Sequence, residues 1–218
     1  MCGVVGYYSD QTIDINKFIL ILRNSMIRGK HATGVAWNEN GFIKSKIISG
    51  PANLLELTNI ETNMIIGHAR YSTSDLQYNQ PIFSDKIAIV HNGVITQQSP
   101  EKWKQIYGFD FKTKNDSELI LKSWEINKHP INQYPEASIA SIIIDLRNKP
   151  ILHFFRNEKR PLYYYKQNKD IFIASTKDIL KRANITNESI KTYACLDYSV
   201  NQENFKSEEI RKSKKDLQ

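Results

Sequence analysis

The residue with the clearest chemical potential is Cys2, which directly follows Met1 at the start of the chain. Removal of Met1, which a small following side chain permits, leaves a thiol and a free α-amine on one residue. A free thiol has a pKa of about 8.5 and an α-amine one of about 7.7–8.0, so the amine can accept the thiol proton near neutral pH. Cys2 is therefore a candidate nucleophile that carries its own base, as in the threonine and N-terminal amine pair. The alternative is an ordinary cysteine at the start of a buried strand.

Six short polar motifs follow, most of them at the ends of apolar segments. Each one alone has a structural explanation, since an Asn-Gly pair is usually a turn and an arginine after a strand is usually a surface charge. Their order behind an N-terminal Cys-Gly is the stronger signal. The motifs are 28–34 (RGKHATG), 67–73 (GHARYST), 79–81 (NQP), 91–95 (HNGVI), 115–118 (NDSE) and 160–162 (RPL).

With these motifs the chain resembles the class II glutamine amidotransferases, whose glutaminase domains use an N-terminal cysteine. The resemblance spans roughly residues 2–183. It implies an α+β fold, the four-layer αββα sandwich of two antiparallel sheets found in N-terminal-nucleophile hydrolases. It also implies that Cys2 attacks the side-chain amide of L-glutamine, forming a γ-glutamyl thioester and releasing ammonia and then glutamate.

The resemblance implies three further catalytic residues. The Asn92 side-chain amide and the Gly93 backbone N–H would form the oxyanion hole, in which donors fixed in advance stabilise the negative charge that develops on the carbonyl oxygen. Arg28 matches the family position that orders the site beside the nucleophile. Among the histidines, His68 and His91 lie beside motifs, and we interpret them as orienting or packing residues.

The two ends of a free amino acid need their own partners. By resemblance, Arg70 pairs with the α-carboxylate, helped by the Thr73 hydroxyl, and Asp116 pairs with the α-ammonium. The structural alternative for Arg70 and Asp116 is a salt bridge, or helix capping in the case of Asp116.

The composition of the chain is that of an ordinary globular protein, with 218 residues, 40% of them hydrophobic and 24% charged. We expect one glutaminase domain over 1–198 and a charged C-terminal tail over 199–218. The net charge of +7 is scattered along the chain, which makes nucleic acid an unlikely direct ligand. No apolar run reaches the roughly 18 residues of a membrane span, so a cytoplasmic protein is expected. The histidine and cysteine spacing predicts no metal, and no cofactor is expected.

Local patterns predict the elements that position the motifs. An apolar stripe from Ile15 to Met26 behind Asp14 indicates a helix that Gly29 ends, and further helices are expected at 100–107, 117–126 and 177–183. Asn115 and Glu118 have the spacing of a capping box for the third of these helices. The remaining apolar segments alternate with turn residues and indicate strands. They are 3–8, 35–37, 42–48, 64–69, 87–90, 139–146, 151–156, 162–165 and 171–174.

Three functions are compatible with these residues. The first is a glutaminase that supplies ammonia to a separate acceptor-binding synthase. The second is a stand-alone amidohydrolase that cleaves a γ-glutamyl bond in a small peptide or thiol. The third is a non-catalytic glutamine-sensing module, which would bind glutamine without forming a thioester.

Overall fold

The computed structural model describes residues 1–72, 77–186, 193–194 and 197–201, and its strands form two sheets. The strands are β1 (Gly3–Ser9), β2 (Ala32–Glu39), β3 (Phe42–Ser49), β4 (Met64–Arg70), β5 (Ile82–Phe83), β6 (Ile87–Val94), β7 (Ser138–Asp145), β8 (Ile151–Arg156), β9 (Tyr163–Gln167), β10 (Asp170–Ala174), β11 (Tyr193–Ala194) and β12 (Asp197–Val200). The helices are α1 (Ile15–Asn24), α2 (Pro100–Tyr107), α3 (Glu118–Glu125), α4 (Pro130–Gln133) and α5 (Lys177–Arg182).

Both sheets are antiparallel at every pairing of the described strands. The larger sheet has the strand order β11-β9-β10-β1-β4-β2-β3, and the smaller has the order β12-β8-β7-β6-β5. Strand β1 lies at the centre of the larger sheet, between β10 and β4. The start of the chain is therefore held on both sides.

The core is divided into three apolar clusters that separate four layers. Along β1, Val4 and Tyr8 face the cluster between the two sheets, whereas Val5 and Tyr7 face the cluster under α1 and α5. This is the period-two alternation of a strand with both faces buried. A third cluster joins α3 to the smaller sheet through residues such as Leu119. The layers are helix, sheet, sheet and helix, which confirms the predicted αββα sandwich.

Most predicted elements are present, with shifted ends. Helix α1 begins after Asp14, whose Oδ1 accepts a hydrogen bond from the backbone N–H of Asn16 at 3.0 Å, as an N-cap does. The turn between β2 and β3 places Asn40 and Gly41 at positive φ, 53° and 79°, as a hairpin requires. Strand β6 continues to Val94, four residues beyond the predicted end, because 91–94 pair with β7 in register.

The end of the chain was predicted to be a charged tail over 199–218. Strand β12 pairs with β8 as far as Val200, and residues 202–218 lie outside the described part. The division into a domain and a tail therefore stays a prediction. Within the described residues, no helix has the length and apolarity that a membrane crossing requires.

Candidate active site

The strand register brings Cys2 next to Arg70. Cys2 directly precedes β1, and Gly3 pairs with Ala69 near the end of the antiparallel neighbour β4. Arg70, the last residue of β4, therefore lies at the same end of the sheet as the half-buried Cys2. The Cys2 thiol donates a weak hydrogen bond to the backbone oxygen of Tyr71, with Sγ at 3.5 Å.

Arg28 lies beside the proposed nucleophile, as predicted. It follows the short 3₁₀ turn after α1, and its Nε donates to the Cys2 backbone oxygen at 2.8 Å. Its Nη2 is 3.7 Å from the Met1 sulfur. Burial lowers the pKa of Arg28; the nearby Cys2 opposes this shift, and the positive charge of Arg160 adds to it. Arg28 thus fixes the backbone of Cys2 and brings a positive charge to it.

Asn92 and Gly93 occupy the end of β6. Asn92 is only 3% exposed, and no described residue accepts a hydrogen bond from its Nδ2. A buried N–H without a partner costs about 1–3 kcal/mol, so an oxygen atom that reached this donor would offset that cost. Gly93 has φ of +153°, and a Cβ there would lie 1.8 Å from the Ser138 backbone oxygen. Only glycine fits this position.

A hydrogen-bonded clamp fixes the strand that carries Asn92. The Gln80 side chain binds both backbone groups of His91, since Oε1 accepts from N–H at 2.6 Å and Nε2 donates to the oxygen at 3.1 Å. The His91 ring lies 2.8 Å from the Ser117 hydroxyl through Nδ1 and 3.1 Å from the Ser138 oxygen through Nε2. Burial lowers the pKa of His91, so the ring is neutral. Nε2 then donates to Ser138, and Nδ1 accepts from Ser117.

Asp116 holds the loop that follows β6. Its Oδ2 accepts hydrogen bonds from the backbone N–H groups of Ile95 and Thr96, at 2.6 and 3.3 Å. Its other oxygen, Oδ1, accepts none from the described residues. Asp116 therefore forms neither the salt bridge nor the helix cap considered as alternatives, and one oxygen remains available to a ligand.

Arg70 and Asp116 line one cavity of about 500 Å³. The Arg70 Nη1 donates to the Tyr78 backbone oxygen at 2.7 Å and to Asn79 Oδ1 at 2.6 Å, which holds the side chain in place. The structure thus brings together two of the residues predicted to bind the ends of glutamine. Thr73, predicted to assist Arg70, lies outside the described residues.

Glu118 has a role that sequence analysis missed. It is only 1% exposed, and its carboxylate accepts hydrogen bonds from the backbone N–H groups of Lys112 and Thr113 at 2.9 and 2.7 Å and from the Thr113 hydroxyl at 2.8 Å. The predicted capping box with Asn115 is therefore wrong, because the carboxylate faces the preceding loop. The sequence gives no signal for this, since the spacing also fits a capping box.

His68, on β4, is a buried neutral histidine beside the site. Burial, with a smaller contribution from the positive charge of Arg70, lowers its pKa to about 3, although a hydrogen bond with the His91 backbone acts in the opposite direction. No described residue is hydrogen bonded to its Nε2. His68 is thus kept uncharged between the two sheets. Within the described residues, no group of side chains could hold a metal ion.

The neutral state of His68 makes the stability of the fold dependent on pH. In the unfolded chain the imidazole takes up a proton near pH 6.5, whereas in the folded protein it does so near pH 3. Between these values the unfolded state binds more protons, so the free energy of unfolding falls by up to about 1.4 kcal/mol per pH unit as the pH falls. Urea unfolding at several pH values between about 7 and 5 measures this dependence. We expect the free energy of unfolding to fall less steeply with falling pH in His68→Asn than in the wild-type protein. Equal slopes for the two proteins would contradict this.

Comparison with protein families gives one match over most of the chain. The model of the glutamine amidotransferase domain matches residues 55–217. Among curated proteins, the glutamine–fructose-6-phosphate aminotransferase of Caldanaerobacter subterraneus is 34% identical over 137 residues, covering 57% of this chain and 22% of the relative. The amidophosphoribosyltransferase of Methanothermobacter thermautotrophicus is 31% identical over 145 residues, covering 59% of this chain and 31% of the relative.

Longer alignments have lower identity. The aminotransferase of Bacillus spizizenii is 26% identical over 212 residues, covering 88% of this chain and 34% of the relative. The chain thus spans about a third or less of the length of these curated relatives. Among solved structures, the glutamine phosphoribosylpyrophosphate amidotransferase of B. subtilis, complexed with ADP and GMP, has a TM-score of 0.72 at 18% identity, covering 92% of this chain and 49% of that one. This likeness supports the fold.

Proposed function

This chain belongs to the class II glutamine amidotransferase family, and we propose that it hydrolyses the side-chain amide of L-glutamine to glutamate and ammonia. We further propose that the ammonia passes to a separate acceptor-binding synthase. The names of the relatives support such an acceptor, since they are aminotransferases and phosphoribosyltransferases. Two observations support the proposal: the Asn92 Nδ2 group is buried and has no partner among the described residues, and Arg28 holds the backbone of Cys2 by a hydrogen bond.

The proposed reaction begins after Met1 has been removed. The Cys2 α-amine accepts the thiol proton while Sγ attacks the amide carbon of glutamine. The Asn92 Nδ2 and the Gly93 N–H donate to the oxyanion of the tetrahedral intermediate. When the intermediate collapses, the C–N bond breaks, and the nitrogen takes the proton from the α-ammonium and leaves as ammonia. Water then hydrolyses the thioester, which releases glutamate and restores the thiol.

Substrate recognition is proposed to use the cavity of about 500 Å³. Arg70 is held at its edge and would bind the α-carboxylate, with Thr73 assisting. Asp116 already accepts two backbone hydrogen bonds through Oδ2, so Oδ1 would accept from the α-ammonium. Arg28 orders the Cys2 backbone through its bond to the carbonyl oxygen.

Asp116→Asn separates the two proposed roles of the carboxylate, which are to hold the 95–96 backbone and to bind the α-ammonium. An asparagine oxygen can still accept from Ile95, but the negative charge is lost. Because hydrogen bonds to charged groups contribute about 1.5–3 kcal/mol, we expect kcat/KM for glutamine to fall about 10- to 100-fold. The analogue glutaramate lacks the α-amine, so both proteins should hydrolyse it at similar rates. Equal losses on both compounds would contradict the assignment. Asp110→Asn, at an exposed ion pair with Lys104, is the matched control.

The function itself is tested with the glutamine analogue 6-diazo-5-oxo-L-norleucine and with the release of ammonia. We expect one covalent adduct, on Cys2, and ammonia from free glutamine. Cleavage of γ-glutamyl peptides without activity on glutamine would favour the amidohydrolase alternative. Glutamine binding without any adduct would favour a sensing module. Met1 retained on the native protein would contradict both catalytic functions, because the amine of Cys2 would be blocked.

A further inference from the structure

We propose that Arg160 is a positioning residue, whose positive charge acts with that of Arg28 to keep the α-amine of Cys2 unprotonated and able to accept the thiol proton. The inference deepens the proposed function and rests on it. No role was predicted for Arg160 from sequence beyond its place in the 160–162 motif.

The sheet register places Arg160 at the nucleophile end of the molecule. It lies three residues before β9, whose first residue, Tyr163, pairs with Ala174 of β10. Ala174 in turn pairs with Val5 of β1, three residues after Cys2. The segment that carries Arg160 therefore approaches Cys2 from the side of β10, opposite to β4. Positively charged side chains thus lie at this end of the sheet on both sides of β1, with Arg70 on β4 and Arg160 just before β9, beyond β10.

Arg160 also lies near the residues that follow Asn92 and Gly93, the proposed oxyanion hole. It lines a cavity of about 390 Å³ together with Val94 and Ile95, which directly follow Gly93, and with Ser138. Its charge acts on Arg28 and on His91, lowering the pKa of each. Arg160 thus lies within electrostatic range of the side chain that binds Cys2 and of the residue that precedes Asn92.

Neither Arg28 nor Arg160 has a carboxylate partner within 4 Å among the described residues. The Arg160 Nε is buried without a hydrogen-bond acceptor in the described structure, and its Nη1 donates only to the Lys159 backbone oxygen at 3.3 Å. Both side chains are partly buried, and a partly buried guanidinium is less favourable without a counter-ion than with one. The guanidinium groups of Arg28 and Arg160, without counter-ions, therefore make the electrostatic potential near the N-terminus more positive.

A positive potential favours the neutral form of an amine over its ammonium form. This matters because an α-amine titrates close to neutral pH, and only the neutral form can accept the thiol proton. Arg70 adds a third positive charge from β4. Buried His68 and His91 are neutral, so they do not offset these charges. Two carboxylates of opposite sign are nearby: Asp116 faces the 95–96 loop, and the exposed Glu136 lines the Arg160 cavity 4.0 Å from Lys159.

The test is the pH dependence of kcat/KM for glutamine in Arg160→Gln, since this profile reports the ionisation of the free enzyme. Removing one nearby positive charge should shift the acid limb of this pH profile to higher pH by about half a pH unit to one pH unit. Compared with the wild-type protein, kcat/KM of Arg160→Gln should then be about three- to tenfold lower near pH 6.5 and almost unchanged near pH 9. Arg160→Lys should restore the limb. Lys128→Gln removes an equal charge from an exposed side chain that lines neither of the two cavities, and it should leave the limb in place.

Several outcomes would overturn the inference. These are an unmoved acid limb in Arg160→Gln, an equal loss of kcat/KM at every pH, failure of Arg160→Lys to restore the profile, or an equal shift in Lys128→Gln. If Arg160→Gln does not fold, Gln97→Glu decides, because Gln97 is exposed and lines the same cavity. The added negative charge of Gln97→Glu should also shift the acid limb to higher pH, and an unmoved acid limb would overturn the inference. A wild-type protein without ammonia release or a Cys2 adduct refutes the proposed function instead.

Discussion

Cys2→Ala should abolish the covalent adduct and lower glutamine hydrolysis by about 10⁴-fold or more, the size of effect seen when a catalytic nucleophile is removed. The loss is chemical, because alanine cannot attack the amide carbon. The structural cost should be small, since the one hydrogen bond from the Cys2 thiol to a described residue is the weak contact with Tyr71. Ammonia release and intact-mass analysis after treatment with 6-diazo-5-oxo-L-norleucine measure both effects.

Cys195→Ala makes the same chemical change at the second cysteine of the chain, which lies outside the described residues. We expect this control to keep full activity and the single adduct. If Cys2→Ala retained more than about a hundredth of the wild-type rate, a nucleophile elsewhere would be required, and the thioester mechanism on Cys2 would be wrong.

Asn92→Ala should lower kcat by about 10²–10³-fold, as the loss of one oxyanion donor does in other enzymes. The Nδ2 group has no hydrogen-bond acceptor among the described residues, so its removal breaks no hydrogen bond in which it is the donor. Leaving out a buried, unpaired donor should even offset part of the packing loss. We therefore expect KM and the thermal midpoint of unfolding to change little while kcat falls.

The readout that separates catalysis from folding is the comparison of kcat with thermal unfolding. Asn132→Ala, at an exposed asparagine of α4, is the matched control and should change neither quantity. A large fall in the unfolding midpoint of Asn92→Ala, with kcat unchanged, would assign Asn92 to the core and leave the oxyanion without its side-chain donor.

Elements defined by local signals could be predicted from the sequence. Asp14 caps α1 through a residue only two positions away, and the Asn40-Gly41 turn depends on the conformational freedom of its own two residues. The full extent of β6 could not be predicted, because pairing with β7 extends it through 91–94. A strand end set by a distant partner leaves no mark in the nearby residues.

The candidate site shows the same limit. Its residue types and order were visible in the motifs, but their support is long-range, since Gln80, Ser117 and Ser138 reach His91 from positions 11 to 47 residues away. The buried carboxylate of Glu118 was assigned to a helix cap because its spacing fits two partners equally well. Likewise, the lack of a counter-ion at Arg160 can be recognised only when all its neighbours are known.

The hydrogen bond from the Cys2 thiol to Tyr71 links the reaction to the backbone beside it. The proton in that bond is the one that the proposed mechanism transfers to the amine, so the bond cannot survive the attack on glutamine. As long as the glutamyl group stays on the sulfur, the Tyr71 carbonyl loses this donor. Every catalytic cycle would therefore break and re-form one hydrogen bond at the end of β4, and this bond can form only while no glutamyl group is attached to the sulfur.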